Sequence, residues 1–201
     1  MNIELKEVNK VPYVVIDNVL TEEELKEVWA TLDSFPIDGL LPGSETGTAF
    51  QSETYRESKQ NKGVFLDTLY SNAPQLCRMI RPLMPRFDEI CREISKLHPA
   101  FRCLSGGWEG SILCSYYENG DYYDEHQDSS PITALFWLAK DQSKFEGGNL
   151  LLEREEPILF EHNRIVIFPG YCLHQVSPVK MKIKDSATGF GRWCVSLFSS
   201  K

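Results

Sequence analysis

The order of patterns along the chain predicts a mainly β fold, a β-barrel or double-sheet jelly roll with helices packed outside it. Three observations carry this. Helical periodicity is confined to roughly the first hundred residues. From Ala100 onward the chain turns into short apolar runs. Glycine-, proline- and asparagine-containing turn signals separate those runs. Helices followed by many short strands favour an antiparallel double sheet over alternating βαβ units. With 201 residues and 42% apolar composition, one domain spanning 1–201 is expected. Residues 1–100 would support a jelly-roll core over 101–201.

Val11–Asp17, VPYVVID, reads as the first strand. A helix follows, opened by a capping box of Thr21 and Glu24. Leu25, Val28, Trp29, Leu32 and Phe35 recur on one face of it. Gly39–Lys62 is polar and aperiodic, which suits a long loop, either a lid or binding segment or a disordered surface loop. Asn72–Leu97 reads as helix, with Leu76, Met79, Ile80, Leu83, Phe87, Ile90 and Ile94 on the apolar side and Pro82 and Pro85 expected to kink or split it. The strand runs are FRCL, SILCSYY, ITALFWLA, NLLLE, RIVIF and RWCVSLF. Their turns are SGGWEG, ENGD, FEGGN, EEP, FPG and SATGFG.

A net charge of −8 disfavours nucleic acid as a partner. The basic stretch Lys180–Lys184 is short and reads as a solvated loop. None of the six cysteines forms a Cys-x-x-Cys pair, so neither a zinc knuckle nor a redox dithiol is indicated, and a reduced, cytoplasmic protein is expected. No signal-peptide core and no apolar run of membrane-spanning length is present, so no membrane role is expected.

The chemistry concentrates in YENGDYYDEHQDSS and RIVIFPGYCLHQVSPV. Positions two apart on a strand share a face, so His126 and Asp128 can grip one ion. His174 lies 46 residues after Asp128 (174 − 128), just past the strand RIVIF and its turn, where a barrel can bring it alongside. Two imidazoles and one carboxylate leave coordination positions open, which suits non-haem Fe(II). A catalytic zinc with two histidines and a carboxylate is the alternative. His98 and His162 read as surface or structural residues. Arg192 opens the apolar run WCVSLF, which points it inward towards an anion. Lys180, Lys182 and Lys184 are the other candidates for that role.

Several ordered motifs share this region. They are Tyr117-x-x-Gly120-x-x-Tyr123-x-x-His126-x-Asp128, then Phe145-x-Gly147-Gly148, then Phe168-Pro169 followed by His174-x-Val176-x-Pro178-Val179, then Arg192. With the opening VVIDNVLTEEEL, they make the chain from about Val11 to Phe198 resemble the Fe(II)/2-oxoglutarate-dependent dioxygenases, most closely the prolyl 4-hydroxylase-like branch. The resemblance implies a double-stranded β-helix with iron held by His126, Asp128 and His174 at the barrel mouth. It implies Fe(II), 2-oxoglutarate and O2 as cofactors, with ascorbate as a stimulant. Oxidative decarboxylation of 2-oxoglutarate to succinate and CO2 would be coupled to C–H hydroxylation. Arg192 would pair with the distal carboxylate of 2-oxoglutarate, and Tyr117 and Trp137 would line the same pocket. A carboxylate at Asp128 implies oxygen insertion or another halide-free oxidation, because related halogenases carry a small residue there.

The chain departs from the branch pattern in three places. Trp137 stands where a tyrosine is common, Cys194 stands where some relatives have serine, and His174 and Arg192 are 18 residues apart (192 − 174). The extra residues, about Met181–Gly189, are expected to form a protruding hairpin. The implied substrate is a prolyl residue of a peptide or protein. A free amino acid or other small metabolite is the alternative, and a non-catalytic metal-binding jelly-roll module is a third reading. Oligomeric state is not legible.

Overall fold

In the computed structural model, residues 2–47, 58–74 and 77–200 are described. Fourteen strands alternate with three helices among them: β1 (Asn2–Val8), β2 (Val11–Asp17), α1 (Glu22–Leu32), β3 (Leu41–Pro42), β4 (Lys59–Gln60), β5 (Lys62–Phe65), α2 (Leu66–Asn72), α3 (Ile80–Ile94), β6 (Gly110–Tyr117), β7 (Tyr122–His126), β8 (Ile132–Leu138), β9 (Phe145–Gly147), β10 (Leu150–Leu152), β11 (Arg164–Pro169), β12 (His174–Val176), β13 (Val179–Met181) and β14 (Arg192–Ser199). The large sheet has the order β1-β2-β11-β8-β14-β6-β5-β3. A smaller sheet, β10-β12-β7-β4, and the two-stranded β13-β9 complete the strand pairing. Every named pairing is antiparallel. This is the jelly-roll architecture that the sequence order predicts.

The large sheet is covered on both faces. Val14, Ile16, Phe136, Ile165 and Val195 of its strands pack with Leu25, Val28, Leu83, Phe87 and Ile90 of α1 and α3. Their neighbours in sequence, Val15, Leu135, Trp137, Val166 and Cys194, point the other way and pack with Leu150, Leu152 and Val176 of the small sheet. Burial on both faces explains why β8 reads as a continuous apolar run.

The expected capping box is present: the Thr21 hydroxyl accepts from the Glu24 N–H, and the Glu24 carboxylate accepts from the Thr21 N–H. Leu25, Val28 and Leu32 are buried, and Trp29 and Phe35 pack against the same core.

Four expectations are corrected. The helix over Asn72–Leu97 is two helices, but the break lies upstream of the prolines. α2 ends at Asn72, and α3 begins at Ile80 and runs through both of them. Pro82 sits in the first turn, where its missing N–H costs nothing, so only Pro85 removes an internal bond. Leu76 lies outside the described residues. FRCL is part of a 3-10 helix, Pro99–Gly106, with Phe101 and Leu104 buried at a spacing of three and Arg102 and Cys103 exposed between them.

The polar segment Gly39–Lys62 is not simply a loop. Its described parts add β3 to the large sheet and β4 to the small one. Residues 48–57 lie outside the described set. Met181–Gly189 forms no hairpin. It folds into a 3-10 turn at Ile183–Asp185 that is tied down by Trp193 Nε1 donating to the Gly189 carbonyl at 3.1 Å and Ala187 N–H donating to Glu118. The six cysteines are all free, and five are buried. No helix among the described residues is long and apolar enough to cross a membrane.

Candidate metal centre and active-site cavity

His126 ends β7 and His174 begins β12, and the two are paired directly across the small sheet. Pairing thus closes the 46-residue gap between Asp128 and His174. Asp128 follows β7 and is fixed by its backbone, whose N–H donates to the Gly170 carbonyl at 2.8 Å. Gly170 is required at that approach, since a Cβ there would lie 1.9 Å from the Ser130 carbonyl oxygen. The Asp128 carboxylate lies 3.7 Å from His126 Nε2 and 3.4 Å from His174 Nε2. The three ligand atoms all fall within 4.8 Å of one another.

Both imidazoles are held in one tautomer. Nδ1 of His126 meets the Asp124 carbonyl and Nδ1 of His174 meets the Cys172 carbonyl, each at 2.8 Å. A carbonyl only accepts, so Nδ1 carries the proton and Nε2 presents a lone pair. Burial, followed by the neighbouring His174, pushes His126 down to about 3. Burial likewise lowers His174. Both rings are therefore neutral, the form that binds metal. Tyr123 stacks on His126 with ring centroids 3.6 Å apart, and Phe168 meets His174 edge-on.

Thr133 was not singled out by sequence reasoning. Its hydroxyl, fully buried on β8, donates to Asp128 Oδ2 at 2.5 Å and meets Ser130 Oγ at 3.1 Å. It fixes the carboxylate plane, with Oδ1 towards His126 and Oδ2 towards His174.

A cavity of about 270 Å³ runs past the triad between the small sheet and the β6–β14 face of the large one. Tyr117 and Arg192 wall one end, and Ser111 and Phe198 wall the other. Arg192 is fully buried, and its three guanidinium nitrogens have no hydrogen-bond partner among the described residues. Ring faces surround it, with Cζ 4.9 Å from Tyr117 and 5.5 Å from both Trp137 and Phe160. Gly148, at φ +65°, leaves room for its stem: a Cβ there would be 2.5 Å from Arg192 Cδ. Gly148 therefore serves not only the expected turn but also as one wall of the arginine's slot. A permanently charged, desolvated fork without a counter-ion is a receptor for a carboxylate.

Burial also raises the Tyr117 phenol, so its hydroxyl stays protonated and able to donate. Trp137 is buried against the guanidinium and stacked on Phe160, but it is not among the side chains that line the open cavity. Cys194 and Ser196 line the cavity floor. Lys180, Lys182 and Lys184 are exposed, which leaves Arg192 as the inward cation of that group.

A second cavity-lining cation, Lys59, was also missed. It lies on β4 opposite Tyr123 and is only 2% exposed. Burial pushes its ammonium down to about 8, against the opposing pull of Asp128. A lone lysine at the end of a polar stretch gives no sequence signal for this. His98 caps the 3-10 helix and His162 accepts from the Ala139 N–H, so both are structural as expected.

Two histidines and one carboxylate that converge with coordination positions left open are a donor set suited to non-haem Fe(II). Residues 112–198 match the family model of the 2OG-Fe(II) oxygenase superfamily, a segment that holds the triad and Arg192. Fe(II), 2-oxoglutarate and O2 are the cofactors of that superfamily.

Solved structures share the fold at low identity. A Pseudomonas putida prolyl-4-hydroxylase is 15% identical, with a TM-score of 0.54 over 93% of this chain and 92% of that one. The viral collagen prolyl hydroxylase of Paramecium Bursaria Chlorella virus-1, in complex with 2OG, is 14% identical, with a TM-score of 0.54 over 92% of each chain. OsALKBH1 is 14% identical, with a TM-score of 0.54 over 98% of this chain and 100% of that one. No curated protein matches the chain.

Proposed function

We propose that the protein is an Fe(II)- and 2-oxoglutarate-dependent hydroxylase. The unpaired Arg192 guanidinium carries this reading, because a bare metal-binding jelly roll has no use for a fully buried cation without a counter-ion. His126, Asp128 and His174 hold the metal. Arg192 pairs with the distal carboxylate of 2-oxoglutarate, Tyr117 donates its hydroxyl to the same group, and Trp137 stiffens the slot by packing on the guanidinium. The bound iron supplies O2 activation, coupling loss of CO2 from 2-oxoglutarate to insertion of one oxygen atom into a C–H bond. Asp128 would supply the third metal ligand, and a carboxylate at that position favours oxygen insertion or another halide-free oxidation.

The proposed substrate is a prolyl residue in a peptide or protein. The motif resemblance supports it, as do the apolar walls Phe65, Leu113 and Phe198, which suit a saturated ring. A free amino acid or other small metabolite is a second reading, favoured by the buried Lys59 in the same cavity.

The test is succinate formation from 2-oxoglutarate by purified protein with Fe(II) and ascorbate, followed by mass analysis of proline-containing peptides and free amino acids for the gain of one oxygen. Turnover that survives Asp128→Ala would refute the metal assignment. The absence of succinate under every condition would refute the class.

A further inference from the structure

Only two lysine or arginine side chains are buried among the described residues, Arg192 and Lys59, and both line the same cavity. The reading above assigns an anion to one of them. Lys59 is left over.

Its geometry resembles that of an incompletely used donor. Nζ donates to the Thr46 carbonyl and to Thr46 Oγ1, each at 2.9 Å. An ammonium carries three protons. No carboxylate lies within 4.0 Å of Nζ among the described residues, and the nearest aromatic face is Tyr123, 5.1 Å to its centroid. That ring stacks directly on the metal ligand His126, so Lys59 stands beside the reacting centre.

Counting formal charges sharpens the point. Among the described lining residues, Asp128 and a bound Fe(II) would together leave one positive charge, and Arg192 and Lys59 add two more. Dianionic 2-oxoglutarate neutralises two of these three. One remains, in a desolvated cavity where an uncompensated charge is costly.

We infer that Lys59 is a specificity-determining residue that receives a carboxylate of the substrate. The molecule hydroxylated then carries a free carboxylate close to the attacked C–H bond, as a free amino acid or the C-terminal residue of a chain does. The substrate body extends from Lys59 along the cavity towards Phe65, Ser111 and Phe198. This rests on the oxygenase reading and narrows its substrate class. The competing role for Lys59 is a latch that only holds the Thr46 turn over the site.

Calorimetry on the protein loaded with Mn(II) and N-oxalylglycine, an unreactive isostere of 2-oxoglutarate, separates these roles. The probes are the common amino acids, each against its carboxamide. At least one free acid should bind about tenfold or more tightly than its amide, as expected for a desolvated charge-assisted contact. Lys59→Gln keeps a donor for Thr46 but removes the charge, and in this variant the preference should fall below about twofold. Lys59→Met should lose it too.

The inference is overturned if no acid outbinds its amide, or if Lys59→Gln retains the preference, which would make Lys59 a latch. It is also overturned if Lys59→Gln weakens N-oxalylglycine as much as the amino acids, which would assign Lys59 to the co-substrate. Failure of N-oxalylglycine to bind the wild-type protein at all would instead sink the oxygenase reading.

Discussion

Arg192→Met should make the ligand-free protein more stable while destroying its response to 2-oxoglutarate. The arginine is fully buried, and Nε and both terminal nitrogens lack partners among the described residues. Each buried unsatisfied polar group costs about 1–3 kcal/mol. The three ring faces at 4.9, 5.5 and 5.5 Å return about 1–2 kcal/mol each. The net cost of keeping the charge is then on the order of 2 kcal/mol. That lies within the gain of about 1–4 kcal/mol seen when buried ionic groups are replaced by apolar ones. For a chain of this length it corresponds to a rise of about 4–8 °C in Tm. N-oxalylglycine at about a hundred times its Kd should stabilise the wild-type protein by about 2.7 kcal/mol. The variant leaves a carboxylate buried against methionine, a loss of about 3–5 kcal/mol, so this stabilisation should vanish. Urea and thermal unfolding with Mn(II), with and without N-oxalylglycine, give all four quantities. The reasoning is wrong if the variant is less stable than wild type without ligand by more than about 1 kcal/mol, or if it keeps the ligand-induced shift.

Three further predictions follow from the same cavity. Thr133→Val removes the hydrogen bond that orients Asp128 Oδ2, and Mn(II) affinity by calorimetry should fall about 10- to 100-fold with little change in fold. Gly148→Ala places a Cβ against Arg192 Cδ at a positive φ, so it should destabilise by more than about 1 kcal/mol and weaken N-oxalylglycine binding, both readable from thermal shifts. Lys59 has a folded pKa lowered from 10.5 to about 8, so between those values the unfolded chain binds more protons and stability rises with pH. Subtracting the Lys59→Met profile from wild type should isolate this rise, at most about 3 kcal/mol at about 1.4 per pH unit; a flat difference between pH 8 and 10.5 would contradict it.

What was legible in the chain was local and periodic. The Thr21–Glu24 box, the strand Val11–Asp17 and the long apolar runs stand as read, because each is set by residues within a few positions of one another. Phe101 and Leu104 misled because two apolar residues three apart fit a 3-10 turn as well as a short strand fragment. The edge strand β1 was missed because it is largely exposed and leaves no apolar run. His126, Asp128, His174 and Arg192 were legible because their residue types carry the chemistry. Thr133 and Lys59 were not, since an ordinary threonine in an apolar strand and a lysine in a polar stretch acquire roles only through contacts that tertiary structure creates.

Parity ties the fold to the site. On β14, Trp193, Val195 and Leu197 face the helices, and Arg192, Cys194, Ser196 and Phe198 face the cavity. On β6, Ile112, Cys114 and Tyr116 face the helices, and Ser111, Leu113, Ser115 and Tyr117 face the cavity. From Ser111 to Tyr117 and from Arg192 to Phe198, Tyr116 is the one charged or hydroxyl-bearing residue on the helix side, and the others lie on the cavity side. Tyr116 satisfies its hydroxyl at the Gly191 N–H, at the sheet's rim. Because the side-chain period is two, a slip of one residue in either strand would drive Arg192 or the serines into the helix-packed core. The register that buries Trp193, Val195 and Leu197 is therefore the same constraint that aims Arg192 at the cavity. Core packing supplies the pre-organisation of the anion site, and the positions with freedom to set substrate choice are those that core packing does not fix: Lys59, Phe65 and the cavity-facing serines.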